Sequence, residues 1–320
     1  MAINIQNHGG SRFRTGRVPA ILRHVAPKPS IAIIGPGSLG AAMAVSLKEA
    51  GYKIEEIISR ETGSSRKRAQ QLARQVGAHP TTLANSNFSA HVCWLCVPDG
   101  QIRACARSIA GAGGWAGKIV FHSSGALSSD ELQCLRDKGA AVGSVHPLMT
   151  FVVNVRPSLK GVPFALEGDT AAIRTARKLV TSLGGKPFDI SKRHKAAYHA
   201  WGAFASPLLA ALLATAEKVA RRAGIDRITA REMMLPIIRQ TIANYAQRGP
   251  AGAFSGPIVR GDAATLKKHM RILSRIPDAR QVYLALARSA LRNLPAKNKK
   301  LLRASLQGRD PDTAQAARRS

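Results

Sequence analysis

From about residue 30 to residue 190 the chain alternates short apolar runs with segments whose apolar positions recur every three or four residues. The runs Ile31–Ile34, Ile54–Ile58, His91–Val97, Ile119–Phe121, Ala141–Val145, Pro163–Leu166 and Pro187–Ile190 predict strands. The amphipathic stretches Leu39–Glu49, Arg66–Val76, Gln101–Ala110, Ser129–Lys138 and Ala171–Leu183 predict the helices between them. Parallel strands need a crossover, and an amphipathic helix buries its apolar stripe on the sheet it crosses, so this alternation predicts an open, doubly wound, mostly parallel sheet. After Ile190 the strand pattern stops. Helical periodicity continues over 193–222, 227–247, 262–273, 278–292 and 296–306, which predicts an all-helical second half.

The sharpest local signal lies at 31–40, IAIIGPGSLG. Gly35, Gly37 and Gly40 follow a strand and open a helix, the setting in which this spacing binds a dinucleotide. Gly35 permits the tight turn, Gly37 lets the backbone approach a pyrophosphate, and Gly40 lets the helix pack closely on the strand. Pro36, Ser38 and Leu39 complete the loop, and the N–H groups of the helix start face the phosphates. The same turn can also join strand to helix with no ligand.

The second strand ends in Ser59 and Arg60, where an acid would bind the 2′-hydroxyl of NAD; Arg66, Lys67 and Arg68 follow one turn into the next helix. A guanidinium there favours a 2′-phosphate, so NADP(H) is the expected cofactor, with Glu61 as the contrary sign. Val97, Pro98 and Asp99 close the strand after that and are expected to border the cofactor, although Asp99 can equally cap the helix ahead of Ile102. Ser123 and Ser124, in HSSG, and His146, in SVHPLMTF, end further strands and are candidate substrate contacts; His146 can equally close a turn. Lys195 and His199 stand four apart, hence on one helical face, and are candidate proton donors, or alternatively a solvated charge and a core histidine.

Composition narrows the classes. With 48 Lys and Arg against 18 Asp and Glu the net charge is +30, which attracts anions of any kind. The basic residues are dispersed and lack interleaved aromatics, so a primary role on nucleic acid is not expected. No run of 18 uncharged apolar residues occurs, and a membrane span is not expected; Ala196–Ala216 is interrupted by Gly202 and Pro207 and reads as a buried protein helix. Four cysteines fit a reducing, cytoplasmic setting. Cys93 and Cys96 lie three apart on a strand, pointing to opposite faces, so no metal site is expected.

IAIIGPGSLG, VPDGQI, FHSSGALSSDEL, SVHPLMTF, KAAYHAWGAFAS and FSGPIVRGD, in that order, resemble a bacterial family of Rossmann-like proteins with a C-terminal helical domain of unknown function 2520. That family is similar to the superfamily of 6-phosphogluconate dehydrogenase and pyrroline-5-carboxylate reductase. The resemblance spans about residues 30–290 and implies an NADP-dependent oxidoreductase acting on a small carbonyl or imine. It places Lys195 where the superfamily has a catalytic lysine, puts His199 where that pattern has an amide, and sets Pro207 where relatives carry Asn. It also turns the loop holding Arg260 toward the cleft as a contact for an anionic substrate; Asp262 can instead cap the next helix with Arg260 beside it.

The expected organisation is a basic extension over 1–29, an NADP-binding Rossmann-like domain over 30–190, a helical substrate and dimerisation domain over 191–295, and a basic tail over 296–320. Trp201, Phe204, Leu208, Leu209, Leu212 and Leu213 put more apolar surface on one helix than a single layer covers, which predicts a homodimer. The alternatives are a non-catalytic NADP-binding sensor or scaffold and, third, a basic nucleic-acid-associated protein.

Overall fold

The computed structural model describes residues 27–153 and 155–307. Most of the basic N-terminal extension and residues 308–320 of the tail lie outside it. The chain divides after Lys195 into two compact units.

In the first unit, β1 (Ile31–Ile34), α1 (Ser38–Glu49), β2 (Ile54–Ser59), α2 (Ser64–Val76) and β3 (His79–Thr82) form one half of a sheet. β4 (Val92–Leu95), α3 (Asp99–Ile109), β5 (Ile119–His122), α4 (Gln133–Arg136) and β6 (Ala141–Pro147) form the other. β7 (Pro163–Gly168), α5 (Thr170–Ser182) and β8 (Lys186–Asp189) complete it. The strand order is β3-β2-β1-β4-β5-β6-β7-β8. All strands from β1 to β6 run parallel, β7 runs antiparallel to β6, and β8 runs parallel to β7. The 3-2-1-4-5-6 order is the Rossmann arrangement, and its switch point falls between β1 and β4.

The central strands are apolar without a break because both of their faces are covered. Ile31 and Ile33 of β1, with Val92 and Trp94 of β4, join one core against α1, α2 and α5. Ala32, Ile34, Cys93 and Leu95 join a second core against α3 and α4. Cys93 and Cys96 pack against opposite cores, as their spacing requires. Burial pushes both thiols up to about 12, which keeps them protonated and unreactive.

Two elements differ from the expectations. β3 has the sequence HPTT and no apolar pattern; as an edge strand it tolerates Pro80, whose missing N–H would break a central ladder. The stretch expected as a helix over 129–138 is a 3-10 turn at Ser129–Leu132 followed by the single turn of α4. Its start is held from outside the segment: the Glu167 carboxylate accepts from Ser129 N at 2.7 Å and from Ser129 Oγ at 2.8 Å.

The second unit is helical throughout. α6 (Lys195–Ala205), α7 (Pro207–Arg222), α8 (Arg227–Ala253), α9 (Pro257–Arg260), α10 (Ala263–Leu273), α11 (Pro277–Asn293) and α12 (Lys299–Leu306) follow in order. The helix expected over 193–222 is therefore two: Ser206 leaves helical geometry (φ −130°, ψ −81°) and Pro207 opens α7 as its first residue, a position that lacks an N–H partner anyway. α8 runs beyond the expected 247 and kinks at Gly249, whose φ of 68° suits glycine. α10, α11 and α12 close around Leu266, Leu284, Leu291, Leu302 and Leu306.

The apolar segment Lys192–Arg222, expected to hold a buried protein helix, is largely exposed. By length and composition it is long and apolar enough to cross a membrane, and only 6% of its most apolar window is buried. The break at Ser206 divides it, and its exposed apolar side chains include Trp201 at 58% and Phe204 at 72% exposure.

Candidate functional site

The carboxyl ends of β1 and β4 part at the switch point and open a cleft of about 550 Å³. Ile34, Gly35, Pro36 and Gly37 form one wall, Ser59, Arg60, Ser65 and Arg68 a second, and Cys96, Val97, Pro98 and Gln101 a third. Gly35 has φ +102°, and a Cβ there would stand 2.5 Å from the Cys96 carbonyl oxygen, so the β1–α1 turn fits against β4 only with glycine. Gly40 packs still closer: its Cβ would meet the Gly35 carbonyl oxygen at 2.0 Å.

Gly37 differs. Nothing lies within 4 Å of a Cβ built on it, so no protein contact demands glycine at this position. Open space above a backbone at a helix start is what a pyrophosphate needs in order to approach. Ser38 and Leu39 begin α1 beside it. These residues fit a dinucleotide.

Arg60 and Arg68 line the cleft, and Ser59 is buried with its hydroxyl donated to the Arg60 carbonyl at 2.9 Å. Arg66 is not among the lining residues; its Nη1 is buried with no hydrogen-bond partner in the structure. Of the run Arg66, Lys67 and Arg68, it is Arg68 that joins Arg60 at the wall. Glu61, the contrary sign in the sequence, is exposed and does not line the cleft.

A second group gathers at the ends of β5 and β6. His122 is fully buried, its Nε2 lies 2.9 Å from the Ser128 carbonyl, and its Nδ1 accepts from Ser124 N at 3.1 Å. Those partners fix the neutral Nε2–H tautomer, and burial pushes the imidazole down to about 4. Ser124 Oγ donates to the Asp99 carboxylate at 2.7 Å and accepts from the backbone of Ala126 and Leu127. Asp99 is the first residue of α3 and makes no cap bond, so capping is not what holds it. Ser123 Oγ accepts from the indole N–H of the buried Trp94 at 2.8 Å. Ser124 thus spends its hydroxyl hydrogen within the protein, whereas Ser123 uses its oxygen there as an acceptor.

Lys195 is fully buried. Its Nζ donates to Ser144 Oγ at 2.7 Å and to the Ser124 carbonyl at 3.0 Å, so it belongs to this group although it opens α6. Burial pushes the ammonium down to about 8, opposed by the charges of Glu167 and Asp99. His146 lies two residues beyond Ser144 on the same face of β6. His199, one turn along α6, is exposed, as is Arg260 at the end of α9. Asp262 caps α10 by accepting from Thr265 N at 2.9 Å, as its sequence position allowed. Sequence reading missed Ser144 and Glu167. The only signal for Ser144 was its place two residues before His146.

A Rossmann-like domain model matches residues 20–147, and the model of the domain of unknown function DUF2520 matches residues 162–290. The chain belongs to the Rossmann-like proteins that carry a DUF2520 domain. No curated protein matches this member. Among solved structures it is similar to a Bacteroides fragilis protein titled as an NADP oxidoreductase, with 23% identity, 82% of this chain and 97% of that chain covered, and a TM-score of 0.70. It is also similar to a Pseudomonas imine reductase, with 20% identity, 87% and 99% covered, and a TM-score of 0.59. A third is an Aspergillus terreus reductive aminase in complex with NADPH and ethyl-5-oxohexanoate, with 17% identity, 86% and 99% covered, and a TM-score of 0.60. At these identities the likeness is one of fold, and it extends over both units of the DUF2520 protein.

Proposed function

We propose that this protein is an NADP(H)-dependent oxidoreductase that moves a hydride between nicotinamide and a small carbonyl or imine. The observation that carries the reading is a cleft walled by Arg60 and Arg68 in the same unit as a buried lysine held by the Ser124 carbonyl just past β5 and by Ser144 within β6. Imine reductases and a reductive aminase among the similar folds favour an imine or its parent carbonyl.

Bound nicotinamide supplies or takes the hydride. Gly35, Gly37 and the start of α1 receive the pyrophosphate, and Arg60 and Arg68 answer the 2′-phosphate with charge-assisted bonds. Hydride addition to a carbonyl leaves negative charge on oxygen, and an imine nitrogen likewise needs a proton. Lys195 is the donor of that proton. An ammonium with a midpoint near 8 is charged at neutral pH yet gives up its proton readily. The four free cysteines accord with work in a reducing cytoplasm.

The cofactor choice is tested directly. NADPH is expected to bind at least tenfold more tightly than NADH, a difference of about 1.4 kcal/mol. Arg60→Asp is expected to narrow or reverse that ratio in titrations followed by fluorescence. Equal affinities in the unmodified protein would remove the argument from the end of β2.

The exposed apolar side chains of α6 and α7 support a symmetric homodimer through the helical unit, since a patch of this kind on a lone chain marks an interface. Sedimentation at micromolar concentration is expected to show a dimer that Phe204→Glu weakens. Monomer alone in the unmodified protein would rule the dimer out.

A further inference from the structure

We propose that Ser144 is a positioning residue which, together with the Ser124 carbonyl, aims the transferable proton of Lys195; this rests on the reading of Lys195 as the proton donor. An ammonium has three N–H donors, and Lys195 commits two of them, to Ser144 Oγ at 2.7 Å and to the Ser124 carbonyl at 3.0 Å. Ser144 in turn donates its own hydroxyl hydrogen to the same Ser124 carbonyl at 3.0 Å, which leaves its oxygen as the acceptor for the lysine. The three groups form a closed ring whose hydrogen-bond directions are all determined. At a tetrahedral nitrogen with two N–H bonds fixed, the direction of the third is fixed as well.

The same ring serves both forms of the lysine. After the third proton has left, the neutral amine still has two N–H bonds for Ser144 and Ser124, and its lone pair occupies the vacated direction. Proton donation in one reaction direction and proton removal in the other then use one geometry, with no side-chain movement between them.

Both acceptors are rigid. Ser144 is fully buried in mid-sheet, paired with His122 of β5 on one side and with Glu167 of β7 on the other. The Ser124 backbone is held through its N–H on His122 Nδ1 and its hydroxyl on Asp99. A buried lysine needs acceptors of some kind, but a flexible side chain or a single carbonyl would satisfy it without fixing a direction. Catalytic groups need support of this sort to stay within a fraction of an ångström of the productive geometry.

The charged and titratable groups that act on Lys195 are Glu167 on β7, Asp99 on α3 and His122 on β5. Glu167 and Asp99 favour the ammonium, and His122 is neutral at working pH. Ser144 adds a hydrogen bond that is stronger to the ammonium than to the amine. Its removal lowers the lysine midpoint.

The test compares Ser144→Ala, Ser144→Thr and Lys195→Met in the full chain. The first readout needs no substrate: the side-chain NMR signal of Lys195 in lysine-labelled protein, assigned by its absence in Lys195→Met, is followed from pH 6 to pH 10. Ser144→Ala is expected to move its midpoint down by about one pH unit, and Ser144→Thr to restore it. The second readout is NADPH oxidation with pyrroline, cyclohexanone and pyruvate as probes. Ser144→Ala is expected to lower kcat by about 10- to 100-fold with KM within threefold, and Ser144→Thr to recover most of the loss. An unmoved midpoint in Ser144→Ala overturns the proposal, as does equal loss in the alanine and threonine variants. Should Lys195→Met be inactive while Ser144→Ala turns over normally, the positioning role fails and the lysine's role stands. Full turnover by Lys195→Met removes the donor reading itself.

Discussion

Lys195→Met is expected to lose turnover by about 10²–10⁴-fold while binding NADPH within threefold of the unmodified protein. Methionine keeps most of the apolar stem and removes the ammonium, so the packing around α6 changes little. The Ser124 carbonyl retains the Ser144 hydroxyl as a donor, and Ser144 loses only the bond its oxygen accepted from the lysine. Cofactor affinity rests on the cleft at β1, β2 and β4, which the lysine does not line. The pH profile follows from the sign of the lysine's shift. With its charged form as the proposed donor, carbonyl or imine reduction is expected to hold steady below the midpoint of about 8 and to fall as pH rises through it. The reverse reaction, which needs the amine, is expected to rise over the same interval. Steady-state kinetics in both directions across that range would check this. A reduction rate that climbs between pH 7 and pH 9 would remove Lys195 as the acid.

Gly35→Ala is expected to cost about 3 kcal/mol of folding stability and with it most of the cofactor binding. Two penalties combine: a non-glycine residue at φ +102° is strained by about 1–3 kcal/mol, and forcing a methyl group against packed backbone costs a similar amount. The atom it meets is the carbonyl oxygen of Cys96, the residue after β4, at 2.5 Å, and the backbone of Cys96 is itself bonded to β1 through its N–H on the Ile34 carbonyl. Gly37→Ala separates the ligand from the fold. Its Cβ enters open space, so urea denaturation is expected to show little change while NADPH affinity falls at least tenfold. If Gly37→Ala bound NADPH normally, the loop would be a turn and nothing more.

The parts of this molecule that were legible in its sequence are those written locally. IAIIGPGSLG carries strand, turn and helix start within ten residues, and the structure demands glycine at Gly35 and Gly40 while leaving open space at Gly37. The central strands announce themselves by unbroken apolar runs. β3 does not, because an edge strand with Pro80 answers to its neighbour β2 rather than to any pattern of its own. The site divides in the same way. Lys195 drew attention through its place in a resemblance, yet what gives it a role lies 51 and 71 residues earlier in the chain. Ser123 and Ser124 look in sequence like hydroxyls offered to a ligand; the structure turns one toward Trp94 and the other toward Asp99. Those pairings join the ends of different strands, which only the sheet order brings together.

The division of the chain after Lys195, rather than after the last strand, bears on how such proteins are recombined. A fragment cut near residue 190 would keep every strand but leave Ser144 and the Ser124 carbonyl without their cationic partner. Carried six residues further, the same fragment takes the lysine along with the sheet. Grafting a foreign helical half onto this chain beyond residue 195 would thus exchange whatever that half contributes and leave Lys195 behind with its original acceptors. Chimaeras joined on either side of that short stretch would inherit this lysine from different parents.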